Sequence, residues 1–138
     1  YFILRISWVF GINGNNFIKT MLRVGAERGE VSVVSDQIGS PTYTYDLAKI
    51  VMDMILSDAY GVYHVTNDGL CSWYEFACEI FRQAGMDVKV NPLSTGEYPA
   101  KAARPYNSRM SKEKLRKAGF CMLPDWQDAL RRYLCELG

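Results

Sequence analysis

One stretch constrains this chain more than any other: Val33 to Val51, VVSDQIGSPTYTYDLAKIV. It reads as the end of a strand, a tight polar loop and the start of a helix. Val31, Val33 and Val34 form a β-rich run that stops at Asp36. Gly39 and Pro41 punctuate the turn, one with backbone freedom and the other with a fixed φ. Asp46 is placed to cap a helix with the apolar face Leu47, Ile50, Val51, Met54 and Ile55, spaced as a core-facing stripe. Asp36, Gln37, Ser40, Thr42 and Thr44 crowd the loop between two apolar elements. A plain connector needs fewer hydrogen-bonding groups, so one reading is a loop that faces a ligand. The other is that these groups only satisfy their own turn.

The rest of the chain alternates in the same way. YFILRISWVFG opens it as a buried strand already under way, so the expectation is a piece of a longer protein cut just before a sheet strand. Asn15 or Asn16 caps a helix bearing Phe17, Met21 and Val24 that closes near Gly29. The central helix runs from Leu47 to about Ser57. VYHVT after Gly61 is a short strand ending in the turn Asn67-Asp68-Gly69. Ser72 and Glu75 form a capping box for a helix that buries Phe76, Ala77, Ile80 and Phe81 and stops at Gly85. DVKVNPL is a strand, and Ser94 to Asn107 reads as a long ordered loop, of a length that is usually functional or disordered. Ser111 caps a short helix ended by Gly119. Asp125 caps the last helix, with Trp126, Ala129, Leu130, Tyr133 and Leu134 facing inward. The order β-α-β-α-β-α-β-α-α argues for an α/β fold in which only the first part belongs to a parallel sheet.

Composition narrows the partners. The 138 residues suffice for one modest core, and 49% are apolar. The net charge is +1 with no basic block, which argues against nucleic acid or an anionic membrane as partner. No apolar run approaches the roughly 18 residues of a membrane span. Cys71, Cys78, Cys121 and Cys135 contain no C-x-x-C pair, and His64 is the sole histidine, so a zinc site is not expected. Cys78 and Cys135 read as buried thiols on apolar helix faces, and all four fit a reduced cytoplasmic protein.

D-Q-x-G-x-P-T at Asp36 to Thr42, followed by Asp46-Leu47-Ala48 on a helix, resembles the bacterial dTDP-4-dehydrorhamnose reductases of the extended short-chain dehydrogenase/reductase superfamily. RISWVFG, NNF, GVYHVTN, SWYEFA, RPYNS and a terminal P-x-W-x-x-A-L fall in the same order and cover almost the whole chain. The resemblance implies a carboxyl-terminal portion only. It would hold the last strands and helices of a Rossmann-like NAD(P)-binding fold plus a small substrate-binding α/β subdomain, with an approximate boundary between residues 1–60 and 61–138. It further implies reduction of the C4 ketone of dTDP-6-deoxy-L-lyxo-4-hexulose to dTDP-L-rhamnose with NADPH or NADH, the cofactor being held mainly outside these residues. Magnesium is a candidate ion for the whole enzyme. A similar sequence occurs in the regulatory subunit of methionine adenosyltransferase, a binding partner. That alternative reading makes the chain an association module.

Several residues carry chemistry in this reading. Trp8 at a strand end offers a flat face to a sugar ring or nicotinamide, and the resemblance puts Ser7 and Trp8 where strand, cofactor and sugar meet. Asn16 either caps its helix or contacts the nucleotide-sugar. Gln37 and Thr42 either position the nucleotide or fix their loop. Arg104, in AARPYNS, has a guanidinium fork that can hold two phosphate oxygens, and by resemblance it meets the diphosphate. Asn107 and Ser108 share its motif, while Lys101 and Arg109 are weaker candidates. Two patterns read as decoys. Gly11 and Gly14 mimic a dinucleotide fingerprint, but Phe17 stands where the third glycine belongs. Tyr45 and Lys49 have the Tyr-x-x-x-Lys spacing of the superfamily's catalytic pair yet lie well after the S-W strand, so no catalytic residue is expected here. His64, without a triad partner, reads as structural, and Trp73 and Trp126 as core. Two copies are expected to pair through the open strand edge unless the first strand rearranges.

Overall fold

Four separate pairings of short strands, three of them parallel, hold the backbone together. The computed structural model describes all 138 residues. In chain order the elements are β1 (Phe2–Arg5), β2 (Val9–Phe10), α1 (Phe17–Arg28), β3 (Glu30–Val34), β4 (Ile38–Gly39), β5 (Thr42–Tyr43) and α2 (Thr44–Ile55). Then follow β6 (Gly61–His64), β7 (Cys71–Ser72), α3 (Trp73–Ala84), β8 (Lys89–Leu93), α4 (Glu113–Lys117) and α5 (Trp126–Leu137). A 3₁₀ turn occupies Thr95–Glu97. β1 pairs with β6, β3 with β8 and β2 with β5, all parallel, whereas β4 and β7 run antiparallel.

The helices form for local reasons that the sequence shows. Asn16 Oδ1 accepts from the Lys19 amide at 3.0 Å and starts α1, which Gly29 ends at φ +68°. Ser72 and Glu75 close their capping box on α3, and Asp125 caps α5 through the Asp128 amide at 2.7 Å. Phe76, Ala77, Ile80 and Phe81, like Trp126, Ala129, Leu130 and Tyr133, are all buried.

Two cores result. One is built around Ile50, Met54, Tyr63, Val65, Leu115 and Leu123, from α2, β6, α4 and adjoining segments. The other surrounds Phe10, Ile18, Phe76, Trp126 and Tyr133 and continues into Val31, Val33 and Phe81 against β3. The chain visits both cores repeatedly.

Some expectations are corrected. Asp46 does not cap α2. The helix begins at Thr44 after Tyr43, which makes no side-chain cap bond, and Asp46 is buried in the first turn. Asp46, Ile50 and Met54 are the buried residues of α2, Leu47 packs half-buried against the same core, and Val51 and Ile55 point outward. Gly39 has no positive φ. It is needed because a Cβ there would lie 2.9 Å from the Trp8 indole. Ser111 lies one residue outside the α4 cap, and its Oγ accepts only a long bond from the Glu113 amide. Cys135 and Cys121 are exposed and Cys78 is half-buried. Cys71 is the buried thiol, pushed up to about 12 by burial and by Glu75.

Candidate functional site

β3 delivers its carboxyl end, Val33 and Val34, to the rim of a cavity of about 550 Å³. The first turns of α1 supply Phe17, Thr20 and Met21, α3 supplies Trp73, and the facing wall is Thr95, Tyr98, Ala100, Ala102, Ala103 and Arg104. The volume suits a small organic ligand, and the lining combines aromatic and aliphatic faces with a few polar groups. Arg104 is the only charged side chain of the wall, and none of the ion pairs in the structure engages it. It is an exposed guanidinium at the mouth of a largely apolar space.

Gln37 and Arg104 are brought together here. Gln37 is buried, and its Nε2 donates to Thr95 Oγ1 at 3.3 Å. Trp8 does not line the cavity. It adopts φ +48°, the one non-glycine residue at positive φ, and stacks on Trp73 with ring centroids 3.8 Å apart. Trp73 is therefore half-buried at the cavity rather than purely core. The Ser7 hydroxyl donates to the Ser40 carbonyl, and fully buried Thr42 donates to the Ser7 carbonyl, both at 2.7 Å. Ser40 Oγ donates to the Gly69 carbonyl at 2.6 Å. Asn16 is engaged by its cap, by the Gly11 carbonyl and by the Tyr133 hydroxyl. Asn107 Oδ1 accepts from the Arg109 amide and lies in a bridge to Ile38.

Asp36 stands behind the cavity wall. Bonds from the Thr95 hydroxyl and amide hold its carboxyl below the usual aspartate range. Sequence reasoning missed Phe17, Trp73, Thr95 and Tyr98 as cavity residues. The available signal was the Ser94–Glu97 spacing, whose backbone-to-carboxylate bond of 2.8 Å marks a turn. His64 Nδ1 donates to the Ser111 carbonyl at 3.0 Å, a structural contact. Lys49 Nζ sits 4.5 Å over the ring centroid of exposed Tyr45.

A family model described as the RmlD substrate binding domain matches residues 1–138. The chain belongs to that family. SpsK, a spore coat polysaccharide biosynthesis protein of Bacillus subtilis, is 46% identical over 134 residues, which is 97% of this chain and 47% of that protein. The dTDP-4-dehydrorhamnose reductase of Escherichia coli strain K12 is 40% identical over 148 aligned positions, covering 99% of this chain and 50% of the enzyme. The dTDP-4-dehydrorhamnose reductase from Bacillus anthracis, solved in complex with NADP, superposes with a TM-score of 0.95 at 52% identity, over 99% of this chain and 48% of that one. The Clostridium acetobutylicum ortholog gives 0.95 at 43%, over 99% and 49%. This RmlD-family chain thus spans about half the length of the relatives it matches. The α/β architecture implied by the resemblance is the architecture of these relatives.

A nicotinamide dinucleotide is the cofactor that the family implies, and the Gly11–Asn16 loop does not fit its pyrophosphate. A Cβ on Gly11 would lie 2.3 Å from Thr44 Oγ1, so that glycine answers to internal packing. Lys19 Nζ is bonded to the Ile12 and Gly14 carbonyls, and Asn16 to that of Gly11. No cluster of three or more His, Cys, Asp or Glu side chains is placed to hold a metal ion, and no helix is long and apolar enough to cross a membrane.

Proposed function

We propose that this RmlD-family chain is the carboxyl-terminal, nucleotide-sugar-binding part of a dTDP-4-dehydrorhamnose reductase. The whole protein would be an NAD(P)H-dependent ketoreductase acting on dTDP-6-deoxy-L-lyxo-4-hexulose and yielding dTDP-L-rhamnose, with magnesium as an optional ion. The observation that carries this reading is the unpaired Arg104 at the mouth of an aromatic-walled cavity, with buried Gln37 inside it. A guanidinium fork matches a diphosphate, and aromatic walls suit a flat base or a sugar face. Ser7 and Trp8, just past β1, are assigned to the cofactor side, and Trp8 also buttresses the sugar side through Trp73. Asn16, Thr42 and Asn107 support the ligand indirectly by holding the loops around it.

The core of α2, β6 and α4 is assigned to the dinucleotide-binding domain, and the core of α1, β3, α3 and α5 to the substrate subdomain. The proposed division near residue 60 then becomes two interleaved sets. The reading places the protein in the cytoplasm, with a dTDP-sugar rather than nucleic acid or membrane as partner, and in a homodimer. Calorimetric titration with dTDP tests it. Wild-type protein binds, and Arg104→Ala weakens binding about tenfold or more, the scale of one lost charged hydrogen bond. Equal binding by both proteins refutes the role of Arg104, and no binding by the wild type refutes the cradle. The 138-residue chain alone is expected to show no ketone reduction.

A further inference from the structure

The segment 96–105 is fastened at both ends to three consecutive residues, Asp36, Gln37 and Ile38. At its start, the Thr95 amide donates to both carboxylate oxygens of Asp36 at 3.0 Å, and the Thr95 hydroxyl donates to Oδ1 at 2.5 Å. At its end, the Ile38 amide donates to the Tyr106 carbonyl at 2.9 Å, and the Ser108 amide donates to the Ile38 carbonyl at 2.7 Å. Between these anchors the backbone has only short turn bonds, from Glu97 to Ser94, Tyr98 to Thr95 and Ala100 to Tyr98. Beyond the 3₁₀ turn at Thr95–Glu97, no strand ladder or helix holds it. Yet Tyr98, Ala100, Ala102, Ala103 and Arg104 on this segment form most of one side of the cavity. Their position over the ligand space is decided by the two anchors.

The anchor at Ile38 is made by backbone alone. The anchor at Asp36 is made by a side chain, and its geometry requires a carboxylate. Both oxygens accept from one amide while one of them also accepts a hydroxyl proton. An asparagine would turn an NH₂ donor toward the Thr95 amide in place of one acceptor.

We propose that Asp36 is a positioning residue for the cavity's ligand: through Thr95 it holds segment 96–105, and with it Arg104, across the cavity mouth. The proposal rests on the reading of Arg104 as the ligand of a nucleoside diphosphate. Asp36 itself touches no ligand. It sets where the guanidinium waits, which reduces the ordering cost of binding.

Two measurements on the intact protein test this. The first is tryptic cleavage at Lys101, the one accessible site within 96–105, because Arg104 is followed by Pro105. Asp36→Ala speeds that cut several-fold, and Thr95→Val, which deletes only the hydroxyl, speeds it less. The second is a double-mutant cycle with dTDP as probe. Asp36→Ala weakens binding about tenfold when Arg104 is present, the scale of one charge-assisted hydrogen bond, and has little effect in an Arg104→Ala background. Unchanged cleavage at Lys101 overturns the proposal. So does a loss of affinity that is equally large in both backgrounds, because Asp36 would then act on the fold at large. If Asp36→Ala does not fold, Asp36→Asn, which turns a donor toward the Thr95 amide, carries both arms. If the wild type binds no dTDP, the functional reading fails separately, and the cleavage rate alone decides whether Asp36 anchors the segment.

Discussion

Arg132 on α5 grips Asp46 on α2 with both prongs of its guanidinium, Nη1 to Oδ1 at 2.8 Å and Nη2 to Oδ2 at 2.6 Å. Asn67 completes the site by donating to Asp46 Oδ2 at 2.8 Å and to the Pro124 carbonyl at 2.9 Å, while its Oδ1 accepts from the Tyr43 amide. This knot ties α2, the turn after β6 and α5 together, so it links the two cores. Its bonds to Asp46, ahead of those to Asp128, hold the Arg132 guanidinium above its already high range.

Removing Asp46 leaves the partly buried Arg132 guanidinium with Asp128 as its remaining carboxylate partner. Asp46→Ala is expected to destabilise the protein by about 3 kcal/mol, the low end for a broken buried pair. The low end applies because the Arg132 side chain stays 27% exposed and can rehydrate. Asp46→Asn keeps the Asn67 contact and costs less. Urea unfolding monitored by circular dichroism measures both, and a loss below about 1 kcal/mol for Asp46→Ala would contradict the knot.

The contact between Gly39 and Trp8 gives a second expectation. Gly39→Ala inserts a Cβ where the Trp8 ring and the Ser108 Cβ already lie within 3.3 Å. Overpacking of this kind costs about 1–3 kcal/mol. The shifted indole also breaks register with Trp73. The near-ultraviolet circular dichroism of the Trp8–Trp73 stack is therefore expected to fall before secondary structure changes.

The Asp36 carboxyl, lowered by Thr95, has a definite pH sign. A depressed folded-state pKa contributes stability that is present above the unfolded value of about 3.9. That contribution is lost as pH falls through the folded value. The Thr95 amide resonance is therefore expected to stay constant above about pH 5 and to move upfield only in acid, below the ordinary aspartate range. Asp128, lowered by Arg131 and Arg132, shifts in the same direction. A residue-resolved signal is therefore required, and it should vanish in Asp36→Asn.

Thiol reactivity separates the cysteines. Cys121 and Cys135 are exposed, whereas Cys71 is buried with a thiol raised to about 12. Only the thiolate reacts with iodoacetamide. Mass spectrometry at pH 8 is expected to find Cys121 and Cys135 modified and Cys71 protected until the protein is denatured.

Much of the architecture is decided within a few residues of chain. Asn16, the Ser72–Glu75 box, Asp125, Gly29 and Gly85 act on amides and carbonyls three or four positions away, and the stripes of α3 and α5 repeat at the helical period. The sequence alone therefore determined where these helices start, stop and face, and its motifs carried the family resemblance. α2 escaped this logic because a charged residue sits in its inward stripe. Arg132, 86 positions later, and Asn67, 21 positions later, make that burial tolerable. The cavity escaped it too. Asp36 meets Thr95 across 59 positions, and Trp8 meets Gly39 and Trp73 through packing. The first of these contacts exists only once strands β3 and β8 have paired. The tertiary structure therefore decided which polar groups of the central loop face the cavity and which are consumed in holding the fold.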